Sequence, residues 1–262
     1  MIFFIVSCGR SGSTALSEIC DAADNCTCFN EPFPESLKTV LWHVENNPHY
    51  DPRSWIKEKM SNAPLYEICG LKDPAIGPLI PYLDDVFDAK FVYLKRDGRE
   101  VVRSLQNWNQ QTSGMVYREC KEPVKYSQKA MKFIAEIEST PKMYLTDVVK
   151  PRPKAGEPFA KEWPELSRIE MYAWHWMKVN RVIEDNIKGR DFIKVDINNK
   201  ESVFAMADYL GLKMSKDTIA NMLNSKINST GKRGLGAGEY PHWSEWTPEQ
   251  TTAYNRVVDS FK

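Results

Sequence analysis

The stretch Met1-Ile-Phe-Phe-Ile-Val-Ser-Cys-Gly-Arg-Ser-Gly-Ser-Thr-Ala-Leu-Ser-Glu-Ile-Cys20 decides the fold. Met1 to Val6 is an apolar, β-branched and aromatic run of strand length, and Ser7 to Ser13 supplies the small residues of a tight loop that exposes its backbone. From Ser13 the spacing turns helical, with Ala15, Leu16, Ile19, Cys20 and Ala23 on one face and Ser11 or Ser13 as the expected N-cap. Strand, glycine loop and helix in that order aim several backbone N–H groups and the positive end of a helix dipole at one spot. That is a site for a phosphate or sulfate group, and Arg10 adds a full charge there.

A nucleotide-hydrolysing P-loop needs Gly-x-x-x-x-Gly-Lys-Ser/Thr. Here Ser13 and Thr14 follow Gly12, and the cation lies upstream at Arg10. This favours a site that binds a nucleotide's 5′-phosphate carrying a group to be transferred.

Working outward, 262 residues suit one α/β domain with insertions, and 42% hydrophobic residues suffice for a core. With 35 basic and 35 acidic residues the net charge is zero, which argues against nucleic acid and anionic membranes as partners; an anion must be held locally. The apolar start is too short for a signal or membrane-spanning segment, so a cytoplasmic protein is expected. The six cysteines show no metal-ligand spacing, and reduced thiols and no metal are expected.

Phe29 to Phe33 reads as a loop, and 35–47 and 53–60 as amphipathic helices. Tyr66 to Leu71 is a strand ending at Lys72-Asp73-Pro74; Lys90 to Leu94 is another, followed by Lys95-Arg-Asp-Gly98 and a helix carrying Val101, Val102 and Leu105. Residues 108–164 carry six prolines and no sheet pattern beyond one amphipathic helix near 126–138, so they read as an insertion covering the site. A long helix fits 165–188, with Gly189 as its stop and Tyr172, Trp174 and Trp176 as core. Asp191 to Asp196 is a strand, 201–210 a helix closed by Gly211, and 225–246 a basic, glycine-rich loop. Thr247-Pro-Glu-Gln250 is a capping box before the last helix. Alternating strands and helices predict a single α/β domain, a P-loop-like, mostly parallel sheet flanked by helices, with its ligand at the strands' C-terminal ends.

Arg10-Ser-Gly-Ser-Thr14 after the first strand, with Phe91-Val-Tyr-Leu-Lys-Arg96 and then Ser104, resembles the sulfotransferases that use 3′-phosphoadenosine 5′-phosphosulfate (PAPS). Phe192 to Asp196 and the Gly231-Lys-Arg-Gly234 loop leading to Trp246 extend the similarity along the chain. The resemblance implies that Arg10, Ser11, Gly12, Ser13 and Thr14 hold the 5′-phosphosulfate. It implies that Arg96 and Ser104 hold the 3′-phosphate, with Lys232, Arg233 and Gly234 also on the nucleotide, and that no metal is needed. Lys72 stands where cytosolic members have their catalytic histidine. The tyrosylprotein and carbohydrate members are closer at this point, with Lys there, Arg in the first loop and a Glu downstream of the first helix, which Glu31 matches. Glu31 is then the expected general base, with Arg10 and Lys72 stabilising charge on the transferred group. Ala15 and Lys194 replace the tryptophan and tyrosine of cytosolic members, and Gly98 replaces a frequent proline, which a turn tolerates.

The reading is a sulfotransferase moving the sulfuryl group of PAPS to a hydroxyl, or an amine, of a small molecule or saccharide. Its rivals are a P-loop-type small-molecule kinase, which would require Mg²⁺ and the absent P-loop lysine, and a non-catalytic nucleotide-binding module. Neither the acceptor nor the oligomeric state is written in the sequence.

Overall fold

A computed structural model describes residues 1–32, 34–61, 66–112, 151–225 and 240–262. They fall into two compact units, Met1–Arg96 with Val179–Asn228 and Asp97–Lys178 with Ser229–Lys262.

The first unit holds a five-stranded sheet: β1 (Ile2–Ser7), β2 (Cys26–Asn30), β3 (Ile68–Lys72), β4 (Lys90–Leu94) and β5 (Phe192–Val195). Every pairing is parallel and the order is β2-β3-β1-β4-β5. After β1 the chain moves to one side and lays down β2 and β3; after β3 it passes to the other side for β4 and β5. The crevice outside the C-terminal end of β1 is therefore the switch point at which such sheets bind ligands. The α/β class and parallel sheet expected from the sequence are what the fold contains.

Both faces of the sheet are covered. On one, Phe3 and Ile5 of β1 pack fully buried against Leu16 and Ile19 of α1 (Ser13–Asp21) and Val203 and Met206 of α7 (Lys200–Leu210). Each such side chain contributes roughly 1.5–3 kcal/mol by leaving water. Gly70 makes this packing possible: in register with Phe3 and Cys28, it leaves room for the Phe3 ring, and a Cβ there would lie 2.9 Å from Cys28 Sγ and closer still to the ring. On the other face, Phe4 and Leu71 meet α2 (Pro34–Asn46), α3 (Arg53–Met60) and α4 (Ile80–Phe87).

Besides α4 (Ile80–Phe87), a stretch to which the sequence reading assigns no element, two elements of this unit differ from expectation. Phe29 to Phe33 was read as loop, yet Cys26–Asn30 is the edge strand β2, its register running Cys26↔Ile68 to Asn30↔Lys72. Lys216–Asn224 is a helix, α8, whose N-cap Ser215 accepts the Thr218 N–H. The remaining strands and helices fall within a few residues of their expected places, and Gly211 closes α7 in the left-handed conformation at φ 70°.

The second unit carries α5 (Gly98–Thr112), α9 (Pro248–Asp259) and the first part of α6 (Arg168–Ile187), whose remainder belongs to the first unit. Its interior is aromatic: Trp163 meets Trp174 edge-on at 5.3 Å, and Tyr172 is fully buried. The Thr247–Gln250 capping box is present in both its hydrogen bonds. Within the segment expected as an insertion, α5 continues through Thr112 and Trp163–Glu165 forms a 3₁₀ turn. The helix expected near 126–138 and most of the 225–246 loop lie outside the described residues. Among the described residues no helix is long and apolar enough to cross a membrane, and the described cysteines are free and buried.

Candidate active site

The loop after β1 bends through two residues in the left-handed region, Arg10 at φ 70° and Gly12 at φ 98°. Glycine adopts that conformation freely; arginine does so at a cost of roughly 1 kcal/mol or more. Gly12 is itself the N-cap of α1, which has no side-chain cap. This corrects the expectation that Ser11 or Ser13 caps the helix: the left-handed turn at Gly12 replaces the extended residue that a serine cap requires. The first turn of α1 therefore has no hydroxyl cap among the described residues, and uncapped first-turn N–H groups are the kind that suit an anion. The hydroxyls of Ser7 and Ser11 are buried and have no hydrogen-bond partner among the described residues.

Lys72 arrives from the side. It ends β3, in register with Ile5 of β1 and Asn30 of β2, and is only 2% exposed. Its Nζ lies 2.7 Å from Glu31 Oε1 and 3.5 Å from Thr14 Oγ1, so the ammonium stands between the carboxylate and the first turn of α1. Glu31 follows β2 directly. Its N–H donates to the Lys72 carbonyl at 2.7 Å, its φ is 51°, and its side chain is half exposed while that of Lys72 is not. Among the described residues only four non-glycine residues have positive φ, and Arg10 and Glu31 are two of them. Such strain persists where the surroundings over-determine it, as at ligand sites.

The next residue, Asp73, is a member of the site that sequence reasoning missed. It is 7% exposed and its Oδ1 accepts the Ala75 N–H at 2.8 Å. Burial pushes its pKa up to about 6; the Ala75 N–H pulls it down, the Glu31 carboxylate raises it, and Lys72 and Lys38 lower it. Its position beside Lys72 and before Pro74 was the available signal, but only the fold reveals that it is buried.

Arg96 follows β4, and its Nη1 reaches the Arg10 carbonyl at 3.5 Å. The first unit therefore brings Arg10, Ser11, Gly12, Ser13, Thr14, Glu31, Lys72 and Arg96 to the C-terminal ends of four adjacent strands. Ser104 is half-buried on α5, in the second unit. Lys232, Arg233 and Gly234 lie outside the described residues.

No protein-family model matches the chain, and no curated protein sequence does. Among solved structures, the chain is similar to mouse sulfotransferase SULT7A1 complexed with PAP, with 12% sequence identity and a TM-score of 0.48, over 98% of this chain and 82% of that one.

Chemically, the arrangement sets a helix terminus without a side-chain cap, a buried ammonium and the Arg96 guanidinium at neighbouring strand ends, with the half-exposed Glu31 carboxylate at the edge. Charge-assisted hydrogen bonds of this kind are about twice as strong as neutral ones.

Proposed function

We propose that the chain is a PAPS-dependent sulfotransferase acting on the hydroxyl, or less readily the amine, of a small acceptor. The observation that carries the reading is the Glu31–Lys72–Thr14 convergence beside an anion-binding loop that lacks a P-loop lysine. A cation delivered from β3 instead of from the loop stands beside the transferred group, and its carboxylate partner is the general base matched by resemblance.

In this reading the α1 terminus and Arg10 hold the 5′-phosphosulfate, and Arg96 takes the 3′-phosphate. Glu31 accepts the proton of the acceptor hydroxyl; the hydroxyl oxygen forms a bond to sulfur. The bond between sulfur and the 5′-phosphate oxygen breaks, and the phosphate keeps the electron pair. Lys72 neutralises charge on the sulfuryl and bridging oxygens, for which it exchanges part of its contact with Glu31. No metal enters this scheme.

Incubation with PAPS and a panel of hydroxyl and amine acceptors, followed by mass spectrometry, tests it: a product heavier by one sulfuryl group is expected, and its persistence in EDTA. A positioned base is worth about 10²–10⁴ in rate. Glu31→Gln is therefore expected to lower kcat by that factor while PAPS affinity stays within a few-fold. A near-normal kcat in this variant would move the base elsewhere, and transfer of phosphate from ATP with Mg²⁺ would establish the kinase reading instead.

A further inference from the structure

Behind Arg96, on the face of the sheet away from α1, stands a polar cluster that the proposed chemistry does not use. Successive side chains of a strand point to opposite faces. Val92 and Leu94 of β4 pack in one cluster with Leu16 and Ile19 of α1, and Arg96, next in that alternation, reaches the Arg10 carbonyl. Tyr93 and Lys95 point the other way, to α6. There Glu184 Oε1 lies 2.6 Å from Lys95 Nζ and 2.9 Å from Tyr93 Oη, and Asn180 Oδ1 lies 2.9 Å from the same hydroxyl. Tyr93 and Asn180 are almost fully buried, while Lys95 and Glu184 are partly covered. Burial works against the Glu184 charge, yet hydrogen bonds from Lys95 and Tyr93 and the charges of Lys95 and Lys194 hold its carboxyl below the usual range.

Lys95 is therefore held twice. Its N–H donates to the Val195 carbonyl of β5 at 3.0 Å, and its ammonium to Glu184. The chain leaves the sheet at the next residue, Arg96. An exposed lysine–glutamate pair would contribute little, but this carboxylate also takes a hydrogen bond from a buried hydroxyl, so α6 and β4 together fix its place. We propose that Glu184 is a positioning residue for the nucleotide: through Lys95 it sets the direction in which the chain leaves β4, and so aims Arg96 at the 3′-phosphate. The inference rests on the reading of Arg96 as the ligand of that phosphate. A guanidinium already in place pays less ordering entropy when the phosphate arrives, and the pair on the opposite face supplies that order without touching the nucleotide.

The test titrates PAP and adenosine 5′-phosphosulfate, which lacks the 3′-phosphate, into the full chain by calorimetry. Glu184→Gln keeps the side chain's size and removes its charge. It is expected to weaken PAP roughly three- to tenfold while adenosine 5′-phosphosulfate stays within about twofold, and to weaken PAP no further in an Arg96→Ala background, because two residues acting through one contact are not additive. Equal losses for the two nucleotides, or the same added loss when Arg96 is already gone, would overturn the assignment and leave Glu184 as a support of the fold at large. If Glu184→Gln does not fold, Lys95→Met removes the other partner of the pair and is read by the same ratio. An unaltered chain with no preference for PAP would sink the 3′-phosphate reading and this inference with it. A preference that survives both Glu184→Gln and Lys95→Met would sink the inference alone.

Discussion

Asp73 shows what a buried carboxylate does to a small site. In the unfolded chain it ionises near 3.8, and in the folded chain only near 6, chiefly because burial disfavours the charge. Between those values the native state keeps a proton that the unfolded chain has lost, so the contribution to stability declines as pH rises through this window. Above about pH 6 the cost is fully present, of order 3 kcal/mol at about 1.4 kcal/mol per unit. Asp73→Asn retains an acceptor for the Ala75 N–H and removes the charge. It should raise unfolding free energy by roughly 1–3 kcal/mol at pH 7.5 and by little at pH 4, read from urea denaturation at both; an equal gain at both would show that ionisation is not the cause. At this scale the sequence was legible where a residue's chemistry is local. Arg10 and the glycine-serine loop could be read directly, and Lys72 and Glu31 could be named from the resemblance. That Lys72 is buried and paired with Glu31 could not, because the two are joined only through the β2–β3 register.

Elements were legible in proportion to their length and regularity. β1 and β4 are continuous apolar runs and were placed to within a residue. β2 is five residues of Cys, Thr, Phe and Asn, half-buried in alternation and following α1 closely, so its signal was too short to separate from a loop. α8 opens with Lys-Asp and has a single fully buried residue, Ile219, which leaves little periodicity to read. Gly98 teaches a different lesson. The sequence permits it to be read as a turn residue tolerant of replacement, yet it is the first residue of α5, and a Cβ there would lie 2.7 Å from the Trp176 ring and closer to Tyr254 Oη. Both neighbours are buried, Trp176 at 9% and Tyr254 at 8% exposure, and neither can simply swing into solvent. In an open helix Gly→Ala would gain up to about 1 kcal/mol; here overpacking should win, and Gly98→Ala is expected to destabilise by roughly 1–3 kcal/mol. Chemical denaturation measures the sign, and a more stable Gly98→Ala variant would mean that the close approach is relieved at no cost.

For the molecule as a whole, zero net charge means that anion recognition rests on local convergence, and the strand order supplies it by setting the loops after β1, β3 and β4 side by side. A ligand that binds only the folded chain raises its stability by RT ln(1 + [L]/Kd), about 2.7 kcal/mol at a hundredfold excess. If Arg96 holds a 3′-phosphate, the nucleotide product with phosphates at both 3′ and 5′ positions, PAP, should raise the melting temperature markedly. ATP with Mg²⁺, which has no 3′-phosphate, should do little. The two explanations for any such preference, a specific 3′ contact and a general attraction for charge, separate in one variant. Arg96→Ala removes a charge-assisted hydrogen bond worth about 1.5–3 kcal/mol. It should weaken PAP roughly ten- to a hundredfold while leaving adenosine 5′-phosphosulfate, which lacks the 3′ group, within a few-fold. Because Arg96 also contacts the Arg10 carbonyl, a loop-disrupting effect would instead weaken both nucleotides together. Equal losses would therefore reassign Arg96 from the 3′-phosphate to support of the first loop, and equal stabilisation of the unaltered chain by ATP and PAP would remove the basis for a 3′-phosphate site.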